Sequence, residues 1–138
     1  MGPCVRKEGW EIRLADCIHS MINKRFKWGV HDCSLMSLDC IDAMCNTEIA
    51  SDWRGKYTNE PEAYELLESR GGYDVIYRGY GLLPIDKNYA KRGDIAYMGG
   101  EHAIGVIIDG RICTTGLYRM EFMPLEAAYN VWSVPCHQ

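Results

Sequence analysis

Cys33 is the residue through which this chain can do covalent chemistry. It stands in Trp28-Gly29-Val30-His31-Asp32-Cys33-Ser34-Leu35, a glycine-containing loop that runs into a helical pattern. Asp32 or its neighbours can cap that helix, so Cys33 falls in its first turn. A thiol there meets unpaired backbone N–H groups and the positive end of the helix macrodipole. Both favour the thiolate, which is the nucleophilic form. A second stretch, Arg92-Gly93-Asp94-Ile95-Ala96-Tyr97-Met98 followed by His102-Ala103-Ile104-Gly105-Val106, supplies a histidine at the start of a strand. A cysteine at a helix start and a histidine on a later strand can form an activated pair. His31, beside Asp32, is an alternative base or a substrate-facing residue. Trp28, Gly29, Asp32 and Ser34 complete the candidate substrate-binding set. The plain alternatives are a buried helical cysteine and a strand-end histidine bonded to a carbonyl. A metal held by Cys33, His31 and His102 has no support from ligand spacing, and no cofactor is expected.

The elements that must position these residues are legible in the apolar pattern. Trp10, Leu14, Cys17, Ile18 and Met21 recur at spacings of three and four, which predicts a helix over residues 9–22. A second helix is expected over Ser34–Cys45. Leu35, Leu38, Ile41 and Cys45 form one side of it, and Met36, Cys40 and Met44 broaden it into the face of a covered helix. Residues 46–60 read as loop, with Trp53-Arg54-Gly55-Lys56-Tyr57 either bordering a cleft or packing onto the core. A third helix is expected over Glu62–Ser69, stopped by Gly71-Gly72. Residues 73–91 fit a short strand or a short helix. The last third reads as short strands at Asp94–Met98, Ala103–Ile108, Arg111–Thr114, Arg119–Met123 and Val131–Val134, with Asp109-Gly110 as a hairpin turn. Pro124 opens a helical turn before the last strand. Helices first and an antiparallel sheet afterwards give an α+β fold.

The 138 residues suit a single domain, 1–138, with 47% hydrophobic and 25% charged residues, an ordinary balance for a globular protein. The net charge of −4 and the lack of a Lys/Arg run argue against nucleic acid as a partner. No apolar run approaches the roughly 20 residues that span a bilayer. No secretion signal is visible in Met1–Trp10, so synthesis in the cytoplasm is expected. The seven cysteines include no C-x-x-C pair, which removes the main support for a zinc ribbon or a thioredoxin motif. Cys17, Cys40 and Cys113 sit in apolar-patterned segments as small buried hydrophobes, and free thiols fit a reducing compartment.

Trp28-Gly29-x-x-Asp32-Cys33-Ser34 resembles the nucleophile motif of the NlpC/P60 cysteine peptidases. Gly93-Asp94-Ile95-Ala96-Tyr97 resembles that family's Gly-Asp strand. His102-Ala103-Ile104-Gly105-Val106-Ile107-Ile108-Asp109-Gly110 resembles its histidine strand and hairpin. The blocks occur in the family's order over residues 26–115. In detail they are similar to a phage-associated group of uncharacterised function, through Trp53–Tyr57, Gly116-Leu117 with Pro124-Leu125, and Val131–Pro135. The resemblance implies a papain-like fold and a Cys33/His102 dyad cleaving an amide of a peptide or of a peptidoglycan stem peptide. It puts the residue that orients the histidine at Thr114, and puts Leu35 where the family carries Gly. It also implies phage tail or secretion-system partners, with the protein in a virion or delivered to the cell envelope. Two other outcomes stay open on the same fold: an assembly module with reduced chemistry, and an acyltransferase using the same thioester.

Overall fold

The structure, a computed structural model, describes residues 3–100 and 103–136. Four helices precede or flank a six-stranded antiparallel sheet, so the fold is α+β. Helix α1 spans Trp10–Met21 and α2 spans Cys33–Cys45. The α2 helix packs on α1 and on the sheet. Leu35, Met36, Leu38, Cys40, Ile41, Met44 and Cys45 of α2 are all buried. Burying one large apolar side chain contributes about 1.5–3 kcal/mol, so the broad face seen in the sequence makes α2 the central helix.

Helix α3 spans Glu60–Ser69, two residues longer at its start than the sequence suggests. The reason is its cap. The Asn59 side chain accepts from the Glu62 N–H at 2.9 Å, and Glu62 in turn accepts from the Thr58 N–H at 2.8 Å. This reciprocal arrangement satisfies donors that the first turn leaves unpaired. Gly71 and Gly72 end α3, but they also begin α4, which spans Gly72–Gly79. Tyr73 and Tyr77 of α4 stack at 5.9 Å between ring centroids, and Tyr77 is fully buried.

The strands are β1 (Leu83–Ile85), β2 (Ile95–Tyr97), β3 (Ile104–Ile108), β4 (Arg111–Thr114), β5 (Glu121–Pro124) and β6 (Asn130–Ser133). Their order in the sheet is β1-β6-β2-β3-β4-β5. Pro84 is compatible with β1 because β1 is an edge strand, where a missing N–H costs no ladder bond. The β3–β4 hairpin turns at Asp109-Gly110, both with positive φ, as a two-residue turn requires. One sheet face carries Ile104, Val106 and Cys113 into the main core with α2. The other carries Ile107 and Ile112 into a smaller core with Ala96 and Val131.

A buried arginine fastens the first residues to the sheet. Arg6 Nε donates to the Val134 carbonyl at 2.8 Å, and its two terminal nitrogens donate to the Arg92 carbonyl at 2.6 Å and to Asp94 Oδ1 at 2.7 Å. Its guanidinium also lies 4.2 Å from the centroid of the Trp10 ring. Asp94 in turn accepts from the backbone N–H groups of Val134 and Lys91. Removing one partner of a buried pair leaves the other charge uncompensated. Asp94→Ala is therefore expected to lower the unfolding free energy by about 3–5 kcal/mol. Urea denaturation reads this directly, and a midpoint equal to wild type would show that the guanidinium finds another acceptor.

Candidate functional site

Asp32 builds the site's first turn. It is the N-cap of α2, and its Oδ1 accepts from the Leu35 N–H at 3.0 Å. Its Oδ2 accepts from the Gly29 N–H at 3.0 Å and from the Tyr57 hydroxyl at 2.6 Å. One carboxylate thus joins the loop before the helix, the helix itself and the loop after it. Gly29 has φ 77° and its carbonyl accepts from the Gly55 N–H at 2.9 Å. A Cβ at Gly29 would collide with the Tyr57 backbone carbonyl, so only glycine fits.

Cys33 is the first residue of α2, one position earlier than the predicted helix start. It lines a cleft of about 1430 Å³ together with Trp28, Ser34, Tyr73, Ala103 and Thr115. The Ser34 hydroxyl shares a hydrogen bond with the Tyr73 hydroxyl at 3.0 Å, and Trp28 meets Phe26 edge-to-face at 4.7 Å between centroids. The Leu35 N–H donates to the Asp32 carboxylate and the Met36 N–H to the Asp32 carbonyl, and the Cys33 N–H has no acceptor among the described residues. Such a donor beside a nucleophile is where a developing oxyanion is stabilised.

The electrostatics differ from the sequence expectation of a depressed thiol pKa. Burial is the largest influence on Cys33 and pushes its thiol up to about 11. The neighbouring Asp32 charge pushes the same way, while hydrogen bonds from the Ile104 backbone and from Ser34 oppose it. The helix-terminal position is as predicted, but desolvation outweighs it. At neutral pH the thiol is protonated.

The remaining predicted residues separate. His31 is buried and does not line the cleft. Burial first, then repulsion from Lys24, lowers its pKa. His102 lies outside the described residues, although Ala103 beside it lines the cleft and the next backbone, at Ile104, bonds to Cys33. Thr114 is fully buried, donates from Oγ1 to the Ile104 carbonyl at 2.7 Å and does not line the cleft. Thr115 does line it. Alternation along β4 puts Cys113 on the α2 side and Thr114 on the other, so the next residue returns to the α2 side. The Thr115 hydroxyl is buried with no hydrogen-bond partner among the described residues. Sequence reasoning missed Thr115 because counting through the hairpin gives a position, while the pleat decides the face. Trp53 and Tyr57 pack down and border the cleft at once: both are buried, and the Trp53 Nε1–H donates to the Tyr80 hydroxyl at 2.8 Å.

Two outcomes test this geometry. Gly29→Val forces an unfavourable φ and a backbone collision, so thermal unfolding should register a loss of at least about 1–3 kcal/mol. Wild-type melting would mean that the loop rearranges without cost. Second, iodoacetamide alkylation of Cys33, followed by mass spectrometry, should accelerate about tenfold per pH unit from neutrality towards pH 11. A plateau below pH 8 would reveal a thiolate instead.

Among the described residues no helix is long and apolar enough to cross a membrane, and no group of three or more His, Cys, Asp or Glu residues is placed to hold a metal ion. Comparison with curated proteins and with solved structures finds no match. A family described as a domain of unknown function, DUF6950, matches residues 5–134. That span is nearly the whole chain, and the protein belongs to this family.

Proposed function

We propose that this protein is a small cysteine hydrolase with a papain-like, NlpC/P60-type arrangement that cleaves an amide in a peptide or a peptidoglycan stem peptide. The observation that carries the reading is Cys33 at the first turn of a buried helix, open to a large cleft and with a backbone N–H that has no acceptor among the described residues. A rigid helix fixes the direction of attack, and the cleft has room for several residues of an extended chain.

Burial, which pushes the Cys33 thiol up to about 11, favours a general-base mechanism over a preformed ion pair. His102 takes the thiol proton as sulfur attacks the carbonyl carbon. The carbonyl oxygen becomes an oxyanion held by the Cys33 N–H. His102 then gives the proton to the leaving amine, the C–N bond breaks and a thioester remains. Water, deprotonated by the same imidazole, releases the acid and restores the thiol. Thr115, rather than Thr114, is the buried hydroxyl that lines the cleft. Location in a phage tail or a related delivery system follows from the sequence resemblance alone.

A second reading is an assembly or binding module on the same fold. The elevated Cys33 thiol and the aromatic walls of the cleft favour it. Turnover decides between them. Peptides and peptidoglycan stem peptides are incubated with the protein, and new amino termini are followed by mass spectrometry. The hydrolase reading expects products from wild type, none from Cys33→Ala, and a loss of roughly a hundredfold or more with His102→Ala. Identical profiles for wild type and Cys33→Ala would sink it and leave the assembly module.

A further inference from the structure

The walls of the Cys33 cleft carry an excess of negative charge that the proposed chemistry does not use. Glu60, Asp74, Asp86 and Glu121 border it, and Lys87 is the one Lys or Arg that does so among the described residues. Asp32 borders it too, but its carboxylate is held by three hydrogen bonds at the helix start. The acids sit among rings. Trp28, Tyr64, Tyr73, Tyr97, Tyr129 and Trp132 line the same space. Glu60 and Tyr64 are four residues apart on α3, so they share one face of that helix. Asp74 Oδ1 accepts from the Trp132 Nε1–H at 2.9 Å, and the Tyr73 and Tyr97 rings meet at 5.7 Å between centroids. Tyr64 and Tyr129 are 47% and 77% exposed, large rings left open at the cleft. Asp74 is paired with Arg78 at 2.9 Å, so Glu60 and Asp86 are the carboxylates to test. A further feature is independent of charge. The Thr115 hydroxyl is buried, has no hydrogen-bond partner among the described residues and belongs to the cleft wall. A buried hydroxyl without a partner costs stability, and a ligand group that pairs with it recovers the loss. A peptide N–H or carbonyl is such a group.

We propose that the cleft selects peptides in which basic side chains outnumber carboxylates, with carboxylates and aromatic rings holding the side chains and Thr115 holding the main chain. The inference rests on the hydrolase reading for the identity of the bound molecule as a peptide substrate, and it narrows the class of that substrate. An ammonium or guanidinium over the face of a Tyr or Trp ring is attracted by the ring's quadrupole, and a nearby carboxylate adds to the attraction. The same wall repels an acidic peptide, while a neutral one meets only the rings. A cleft lined by one sign of charge also concentrates the field inside it, and the whole chain, at −4, has the same sign. The Thr115 hydroxyl pairs with a peptide group, which every sequence supplies. Charge therefore decides which side chains are accepted, and the hydroxyl contributes alike to all of them.

The test is calorimetric titration of the full chain carrying Cys33→Ala, so that bound peptide is not consumed. The probes are the blocked peptide acetyl-Ala-Lys-Ala-Lys-Ala-amide, its norleucine and glutamate counterparts, and a lysine-type stem pentapeptide, which has as many carboxylates as amines. The lysine peptide should bind about tenfold or more tightly than the norleucine peptide, and the glutamate peptide most weakly. That gap should narrow as salt rises from about 0.05 M to about 0.5 M. Glu60→Gln and Asp86→Asn should each weaken the lysine peptide about threefold or more and leave the norleucine peptide within about twofold. Thr115→Val should weaken both by a similar factor, about fivefold. Equal affinities for lysine and norleucine, tighter binding of the glutamate peptide or of the stem pentapeptide, or no saturation by the lysine peptide at millimolar concentration would each overturn the proposal. So would wild-type affinities in all three variants. The readout is binding and not turnover. A preference for the lysine peptide with no cleavage by wild type would sink the hydrolase reading alone, and cleavage without that preference would sink this inference alone.

Discussion

The arrangement around Cys33 depends on one carboxylate. Asp32 is buried and accepts three hydrogen bonds from three different segments. Each bond to a charged acceptor contributes about 1.5–3 kcal/mol and, more importantly, cannot be lost without stranding a buried charge. The carboxylate fixes where α2 begins, so it fixes where the thiol sits. It draws the Gly29 N–H inwards, which goes with the left-handed backbone there and the close passage of Tyr57. The Trp28–Ser34 segment is thus one mechanical unit whose parts fail together.

Two opposed effects meet at Cys33, and their sizes decide the outcome. A helix N-terminus favours a nearby anion by about 0.3–1 kcal/mol at an exposed position. Raising a thiol to about 11 corresponds to a penalty on ionisation of about 3 kcal/mol. Burial wins, so position at a helix start is a geometric asset here and not an electrostatic one. The fold fixes where the sulfur sits, and burial keeps it from ionising readily.

Much of this was legible in the amino-acid pattern. Helices α1 and α2 announce themselves through apolar spacing, because each buries one continuous face. The Asp109-Gly110 turn is legible since few residue pairs tolerate two positive φ values. What was not legible has a common cause, dependence on distant partners. Helix α4 is short, and its Tyr73 and Tyr77 resemble strand residues until their rings have something to stack on. Strand β1 contains Pro84 and exists only because β6 offers an edge. The Thr114 and Thr115 faces depend on how the pleat meets α2. The Arg6–Asp94 pair joins residues 88 positions apart in the sequence, and nothing in either neighbourhood marks an arginine as buried.

Arg6 also joins the first and last described segments. Its backbone N–H donates to the Pro135 carbonyl at 2.8 Å, and it forms a parallel bridge with Cys136. The segments around Arg6 and Cys136 therefore run side by side in the same direction. Parallel bridging means that the incoming chain arrives from the end opposite to the one where the outgoing chain departs. A fold wired in this way passes tension through the Arg6 bridge once the Cys4 contact to Tyr80 has given way. Pulling on the two ends loads the Arg6 hydrogen bonds in shear, all at once, instead of unzipping the sheet strand by strand.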